Sequence, residues 1–231
     1  MKIAAFLAVL SAIPLPAQQA WQSLFDGSTS KGWLEVTGKP FPTHSWTIED
    51  GCLKTLVRGD GFQDIRTEQK FQSFELEFEW KLLRNGNSGV KYLIQRIDEW
   101  TNAEGRQARA RGLEYQLVDP QGPDASDPSR YTAALYSVLA APPTLRDKLT
   151  PKIGAFNHSR IVVNGDHVEH WLNGVEALRY SLTEPAVQSA LRNLLPKDSP
   201  PQTPLARETW ISLQNHSSET WFRNIRIRRL P

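Results

Sequence analysis

The chain has 231 residues, 39% of them hydrophobic and 23% charged, enough to bury roughly 70% of the unfolded surface without a metal or disulfide staple. Twenty-seven Lys and Arg against 25 Asp and Glu give a net charge of +2, which excludes nucleic-acid binding driven by bulk charge. A single cysteine, Cys52, excludes both an intrachain disulfide and a cysteine-based zinc site. Residues 1–17 read as a secretory leader: Lys2 opens it, an apolar run follows from Ile3 to Leu10, and Pro14, Pro16 and Ala17 mark the cleavage site. The run is shorter than the ~20 apolar residues of a membrane span, and no cysteine follows to take a lipid. The expected mature chain is soluble, periplasmic or secreted, and not inserted in a membrane. Residues 18–231 contain no linker and no internal repeat, and are expected to form one domain.

From residue 74 onward, short runs of period two predict strands with one face in a core. Phe74, Leu76, Phe78, Trp80 and Leu82 alternate with Glu75, Glu77, Glu79 and Lys81. Val90, Tyr92 and Ile94 alternate with Lys91, Leu93 and Gln95; after a loop expected over Thr101–Gly112, Leu113, Tyr115 and Leu117 alternate with Glu114, Gln116 and Val118. A second loop is expected over Asp119–Arg130. Arg160–Val163 and Val168–Leu172 flank Asn164-Gly165-Asp166, a hairpin signal because Asn and Gly tolerate positive φ. Val187, Ala190, Leu191, Leu194 and Leu195 predict one helix, with Pro185 in its first turn and Pro196 ending it. A third loop, Lys197–Pro204, precedes late strands at Ile211/Leu213 and Ile225/Ile227. Many short antiparallel strands with one helix mean an all-β sandwich or barrel.

If Val90/Tyr92/Ile94, Leu113/Tyr115/Leu117 and Ile211/Leu213 face the core, alternation turns Lys91, Gln95, Glu114, Gln116, Ser212 and Gln214 outward, with His216 at a strand end. An amine, a carboxylate, amides and an imidazole on one surface would suit a sugar. Solvated outer faces of unrelated strands remain the alternative, because adjacency in a sheet is not visible in one sequence.

These residues also carry a resemblance. Trp21, Leu24-Phe25-Asp26-Gly27, Gly32-Trp33 and Trp46 with Glu49-Asp50-Gly51 resemble the opening signature of the bacterial 3-keto-disaccharide hydrolase family. The segments Asn87–Tyr92, Gly112–Asp119, Ala134–Tyr136, Glu169–Gly174, Leu213–His216 and Trp221–Arg228 are similar to its later blocks, in order, over nearly the whole mature chain. Phe156-Asn157 departs from a common Trp-Asn pair, and Asn215 stands where an Asp often precedes the histidine. The resemblance implies a two-sheet, concanavalin A-like jelly roll acting on glycosides already oxidised at carbon 3. A ketone there acidifies the carbon-2 proton, so a base can form an enolate that expels the aglycone, and water then adds. Such a site needs a base, an enolate stabiliser and an acid, and does not need the oxocarbenium chemistry of ordinary glycosidases.

Under this resemblance Glu114 or His216 is the expected base, imidazole titrating near neutrality without tuning. Lys91 is expected at the enolate oxygen. Asn87, Gln116, Asp119 and Gln214 are expected substrate contacts, and Tyr136 stacks on the ring or gives a proton. The substrate partner is a small carbohydrate, supplied by a separate sugar 3-dehydrogenase. A Lys91–Glu114 surface ion pair and a half-buried Tyr136 are the plain structural alternatives, and the same sandwich fits a non-catalytic carbohydrate-binding module.

Other features point elsewhere. Asp119, Asp124 and Asp127 share one loop and offer a site for a divalent cation such as Ca²⁺, although Asp-rich loops are mostly turns. His167 and His170 project to opposite faces of one strand, so a zinc site using both with His158 is not expected. Carboxylates two apart in Glu75-x-Glu77-x-Glu79 stand roughly 6.6–7 Å apart, within reach of carboxylate-pair glycosidase chemistry. Trp80 falls in core register, whereas Trp100, beside Arg106, Arg109 and Arg111, is free to stack on a sugar. Asn157-His-Ser and Asn215-His-Ser match the N-glycosylation triplet and are expected to be chance.

Overall fold

The computed structural model describes residues 19–57 and 61–231; the leader expected at residues 1–17 lies outside them. The first six strands are short: β1 (Gln22–Ser23), β2 (Trp33–Glu35), β3 (Trp46–Glu49), β4 (Cys52–Thr55), β5 (Gly61–Gln63) and β6 (Ile65–Thr67). Longer ones follow: β7 (Phe74–Leu82), β8 (Asn87–Asn102), β9 (Gly105–Val118), β10 (Asn157–Asn164), β11 (His167–Leu172) and β12 (Val175–Ser181). The helix α1 (Pro185–Asn193), β13 (Ser212–Leu213) and β14 (Thr220–Arg229) complete the chain.

Two sheets form the jelly roll. The larger runs β12–β11–β10–β7–β14–β4–β3 with β1 beside β14, and the smaller runs β2–β6–β13–β8–β9–β5. Period-two patterning explains their packing. Phe74, Leu76, Phe78, Trp80 and Leu82 of β7 are all buried and meet Val90, Tyr92, Leu113, Tyr115 and Leu117 of the smaller sheet in one core. The expected hairpin is present, with Gly165 at φ +57° in the β10–β11 turn. Pro185 begins α1, and Val187 and Leu191 bury its apolar face.

Two expectations need correction. The segment Thr101–Gly112 is not a loop. β8 and β9 continue as a long arm, pairing Trp100 with Gln107 and Asn102 with Gly105. Arginine-rich strands lack hydrophobic alternation, yet the ladder and ion pairs such as Arg106–Glu35 at 2.8 Å hold them. Ile94 does not follow Val90 and Tyr92 into the main core. A bulge lies between Tyr92 and Arg96, with Leu93 at φ +49°. Leu93 enters the main core, while Ile94 joins a second cluster with Val36, Ala108 and Ala110. Gln95 consequently leaves the polar row and bonds both backbone groups of Ala206.

Candidate functional site

The register places the expected polar residues side by side. Lys91 on β8 lies opposite Glu114 on β9 and Ser212 on β13, and Gly89 lies opposite Gln116. Gly89 makes room for this arrangement: a Cβ there would stand 2.2 Å from Glu114 Oε1. On this face lies a cavity of about 420 Å³ lined by Asn87, Lys91, Glu114, Gln116, Gln214 and His216. Tyr136 also lines it, brought there by a 3.0 Å bond from its backbone N–H to Glu114 O.

A buried carboxylate that sequence reasoning missed supports the charged floor. Asp64 Oδ2 accepts from Lys91 Nζ at 2.9 Å and from Ala110 N at 3.0 Å. Its Oδ1 accepts from Arg109 at 3.3 Å and from Asn215 N at 3.2 Å. Lys91 Nζ also stands 3.9 Å from Glu114 Oε2. Two cations therefore face two carboxylates in a largely buried cluster. Burial pushes the Glu114 carboxyl up, Lys91 pulls it back and Asp64 adds to the rise. At the rim, loss of solvation and the nearby Arg109 hold His216 below the ordinary histidine range, with Asp124 opposing them.

The amides form a graded polar wall. Gln116 Nε2 donates to Asn87 Oδ1 at 3.3 Å, and Asn87 Nδ2 donates to Asp124 Oδ2 at 2.7 Å. Buried Oε1 atoms of Gln116 and Gln214 have no protein partner. Both residues line the cavity, with these two oxygens buried in its wall.

Several expected residues lie elsewhere. Asp119 is not in the cavity lining; its carboxylate accepts from Asn85 N at 2.8 Å and Gln121 N at 3.0 Å, holding turns. Asp124 bonds Asn87, and Asp127 caps the one-turn 3₁₀ helix Pro128–Arg130. The three aspartates of that loop are thus spent on separate bonds, and among the described residues no three His, Cys, Asp or Glu converge as a metal site. Glu75, Glu77 and Glu79 belong to the larger sheet and face arginines. Arg160 stands 3.1 Å from Glu75, Arg226 Nε 2.8 Å from Glu77 and Arg223 Nε 2.7 Å from Glu79. His170 is fully buried, whereas His158 and His167 are exposed.

The two departures and the glycosylation triplets are structural positions. Phe156 packs between Lys81 and Arg223. Asn215 is buried and donates to Ser45 O at 2.8 Å, and Asn157 is buried too. Trp80 donates to Ser159 Oγ in the core, and Trp100 lines the cavity.

The sequence profile of the family described as "3-keto-alpha-glucoside-1,2-lyase-like domain" matches residues 20–228. The 3-keto-disaccharide hydrolase of Bacteroides thetaiotaomicron is 33% identical over 248 aligned positions, covering 96% of this chain and 83% of that one. Two crystal structures from Parabacteroides distasonis, provisionally assigned as glycosyl hydrolases, share the fold. One gives a TM-score of 0.72 at 22% identity, covering 91% of this chain and 94% of its own. The other gives 0.64 at 25% identity, covering 91% and 100%. The blocks Asn87–Tyr92, Gly112–Asp119, Ala134–Tyr136 and Leu213–His216 supply much of the cavity lining, and the match spans nearly every described residue: the chain belongs to the 3-keto-disaccharide hydrolase family of carbohydrate-active enzymes.

Proposed function

We propose that the protein cleaves glycosides oxidised at carbon 3 by elimination and hydration. The observation that carries this reading is the Glu114–Lys91 pair, 3.9 Å apart and facing a polar cavity. Glu114 takes the carbon-2 proton, its raised pKa making it a stronger base than an exposed carboxylate. Lys91, held by Asp64, offers positive charge to the enolate oxygen as it develops. The carbon-1–oxygen bond breaks, and Tyr136 protonates the departing oxygen. In the second half water adds: hydroxide bonds to carbon 1, its proton returns to Tyr136, and Glu114 returns its proton to carbon 2. His216 orients that water from the rim. Gln116 and Gln214, both in the cavity lining, contact the sugar hydroxyls.

Export belongs to the same proposal. The leader pattern of residues 1–17 supports a periplasmic or secreted enzyme. Its keto sugar must come from a separate sugar 3-dehydrogenase, because no step above oxidises an alcohol. The test is to incubate the protein with a glucoside and with its 3-keto derivative in deuterated water. Release from the keto sugar alone, with deuterium at carbon 2, is the expected result. Release from both substrates would point to ordinary hydrolysis, and release from neither to a carbohydrate-binding module.

A further inference from the structure

The cavity lining contains two chemically unlike sets of side chains. Its polar floor is described above. The remaining wall is mainly apolar: Ala190 and Leu194 come from α1 and its C-terminal turn, Val138 from the loop after Tyr136, and Trp100 from the β8–β9 arm, with Arg111 its charged member. Four large hydrophobic side chains are exposed among the described residues, namely Val57, Leu83, Trp100 and Tyr136. Two of the four, both aromatic, line this one cavity.

The wall is braced. Arg96 donates to the carbonyls of Leu194 at 3.0 Å and Leu195 at 2.7 Å, closing the C-terminus of α1. Its Nε also bonds Asp98 at 2.7 Å, and Asp98 accepts from Arg111 Nε at 2.7 Å. The Arg111 guanidinium stands 5.8 Å from the Trp100 ring centroid. Arg111 also lies near enough to Glu114 to lower its pKa, so the braced wall borders the reacting pair. Helix end and arm are thereby fixed beside the proposed chemistry, not hung loosely over it.

We propose that this wall is the aglycone subsite and that it selects a flat aromatic leaving group over a second sugar. The inference rests on the elimination reading above. A sugar ring carries hydroxyls on its edge, and Ala190, Val138 and Leu194 supply no side-chain partner for them. A phenolic ring buries its faces against Trp100 and the aliphatic wall at no such cost. A phenolate is also the better leaving group when the enolate collapses: the carbon-1–oxygen bond breaks, and the oxygen keeps the electron pair with little help from Tyr136.

The test compares an aryl 3-keto-glucoside with a 3-keto disaccharide in wild type, Trp100→Ala and Leu194→Gln. Wild type should favour the aryl substrate in kcat/KM by about tenfold or more, the scale of hydrophobic-pocket discrimination. Trp100→Ala should lower the aryl value about tenfold, mainly through KM, and the disaccharide value by no more than about threefold. Leu194→Gln should narrow the preference. A disaccharide preference in wild type, or equal losses on both substrates, would overturn the proposal while leaving the reaction intact. If neither keto glycoside is turned over, the reaction reading fails and binding of 4-nitrophenol alone decides the subsite. Binding by wild type that Trp100→Ala abolishes upholds it; no binding, or equal binding by both proteins, removes it. Melting curves confirm that each variant is folded.

Discussion

His170 Nδ1 lies 3.0 Å from the carbonyl oxygen of Ala133, so a side chain of the larger sheet holds a segment that lies along the smaller one. The carbonyl only accepts, so Nδ1 carries the proton, and Nε2 accepts from Tyr92 Oη at 2.6 Å. Tyr92 in turn meets the Tyr180 hydroxyl. The held segment pairs with β9: Ala133 N donates to Gln116 O, and Tyr136 N donates to Glu114 O. Ala133 sits at φ +68°, a conformation uncommon for alanine, at the point His170 grips.

Acid stability should report this buried histidine. Burial lowers its pKa to about 4 from an ordinary 6.5. Between those values the unfolded chain binds the proton and the native chain does not, so stability falls as pH drops from 6.5 towards 4. The contribution lost is roughly 3 kcal/mol across that window. His170→Leu should cost about 2–5 kcal/mol at pH 7, because Ala133 O and Tyr92 lose their partner. The same variant should flatten the acid slope. Denaturant titrations at pH 4.5 and 7 check both effects, and an unchanged slope would sink the assignment.

Asp64→Asn should be among the most damaging single changes near the site. It leaves Lys91 and Arg109 facing each other with their shared carboxylate removed. Stripping one partner from a buried pair costs about 3–5 kcal/mol. Adding Lys91→Met should return part of that stability, since one uncompensated charge goes with it, but should not return turnover. A double-mutant cycle with melting and activity readouts separates the two effects.

Glu114→Gln should lower turnover by about 10²–10⁴-fold with substrate affinity largely kept. The wild-type kcat/KM profile should rise with pH through a midpoint above the usual 4.5 of a glutamate, because the base works only when deprotonated and burial raises its pKa. Lys91→Met removes the cation favouring the charged form. Residual activity in that variant should therefore have its acidic limb moved to higher pH. A limb that stays in place would assign the base to another group.

The polar row was legible because β8, β9 and β13 obey period two where Lys91, Glu114, Gln116 and Ser212 sit, with Gln214 just past the end of β13, so the core residues between them fix which side chains turn outward. Alternation failed at Leu93, where one residue of positive φ changes the parity of everything after it. Asp64 was invisible for a different reason. It lies between the three-residue strands β5 and β6, too short for a pattern, and its partners come from β8, β9 and the segment after β13. The β8–β9 arm reads as loop because its stability comes from ladder bonds and ion pairs, which leave no hydrophobic period. The apolar wall joins a helix and an arm far apart in sequence, and one chain carries no signal for such a meeting.

The glutamates of β7 give the last contrast. Glu77 is bonded by Arg226, whose side chain is half exposed, and the bond ties β7 to β14 across the outer face of the larger sheet. An exposed pair of this kind contributes about 1 kcal/mol or less, so Glu77→Gln should barely move the melting temperature. It should also leave kcat/KM on a 3-keto glycoside within about twofold of wild type. Glu75 is buried and takes bonds from both Arg160 and Arg228, so Glu75→Gln should cost more stability, about 2–3 kcal/mol, again without loss of turnover by the folded fraction. A glycosidase using this acid run as its carboxylate pair would behave in the opposite way, losing nearly all activity in both variants at unchanged stability. Activity per folded molecule, measured beside a melting curve, separates the two.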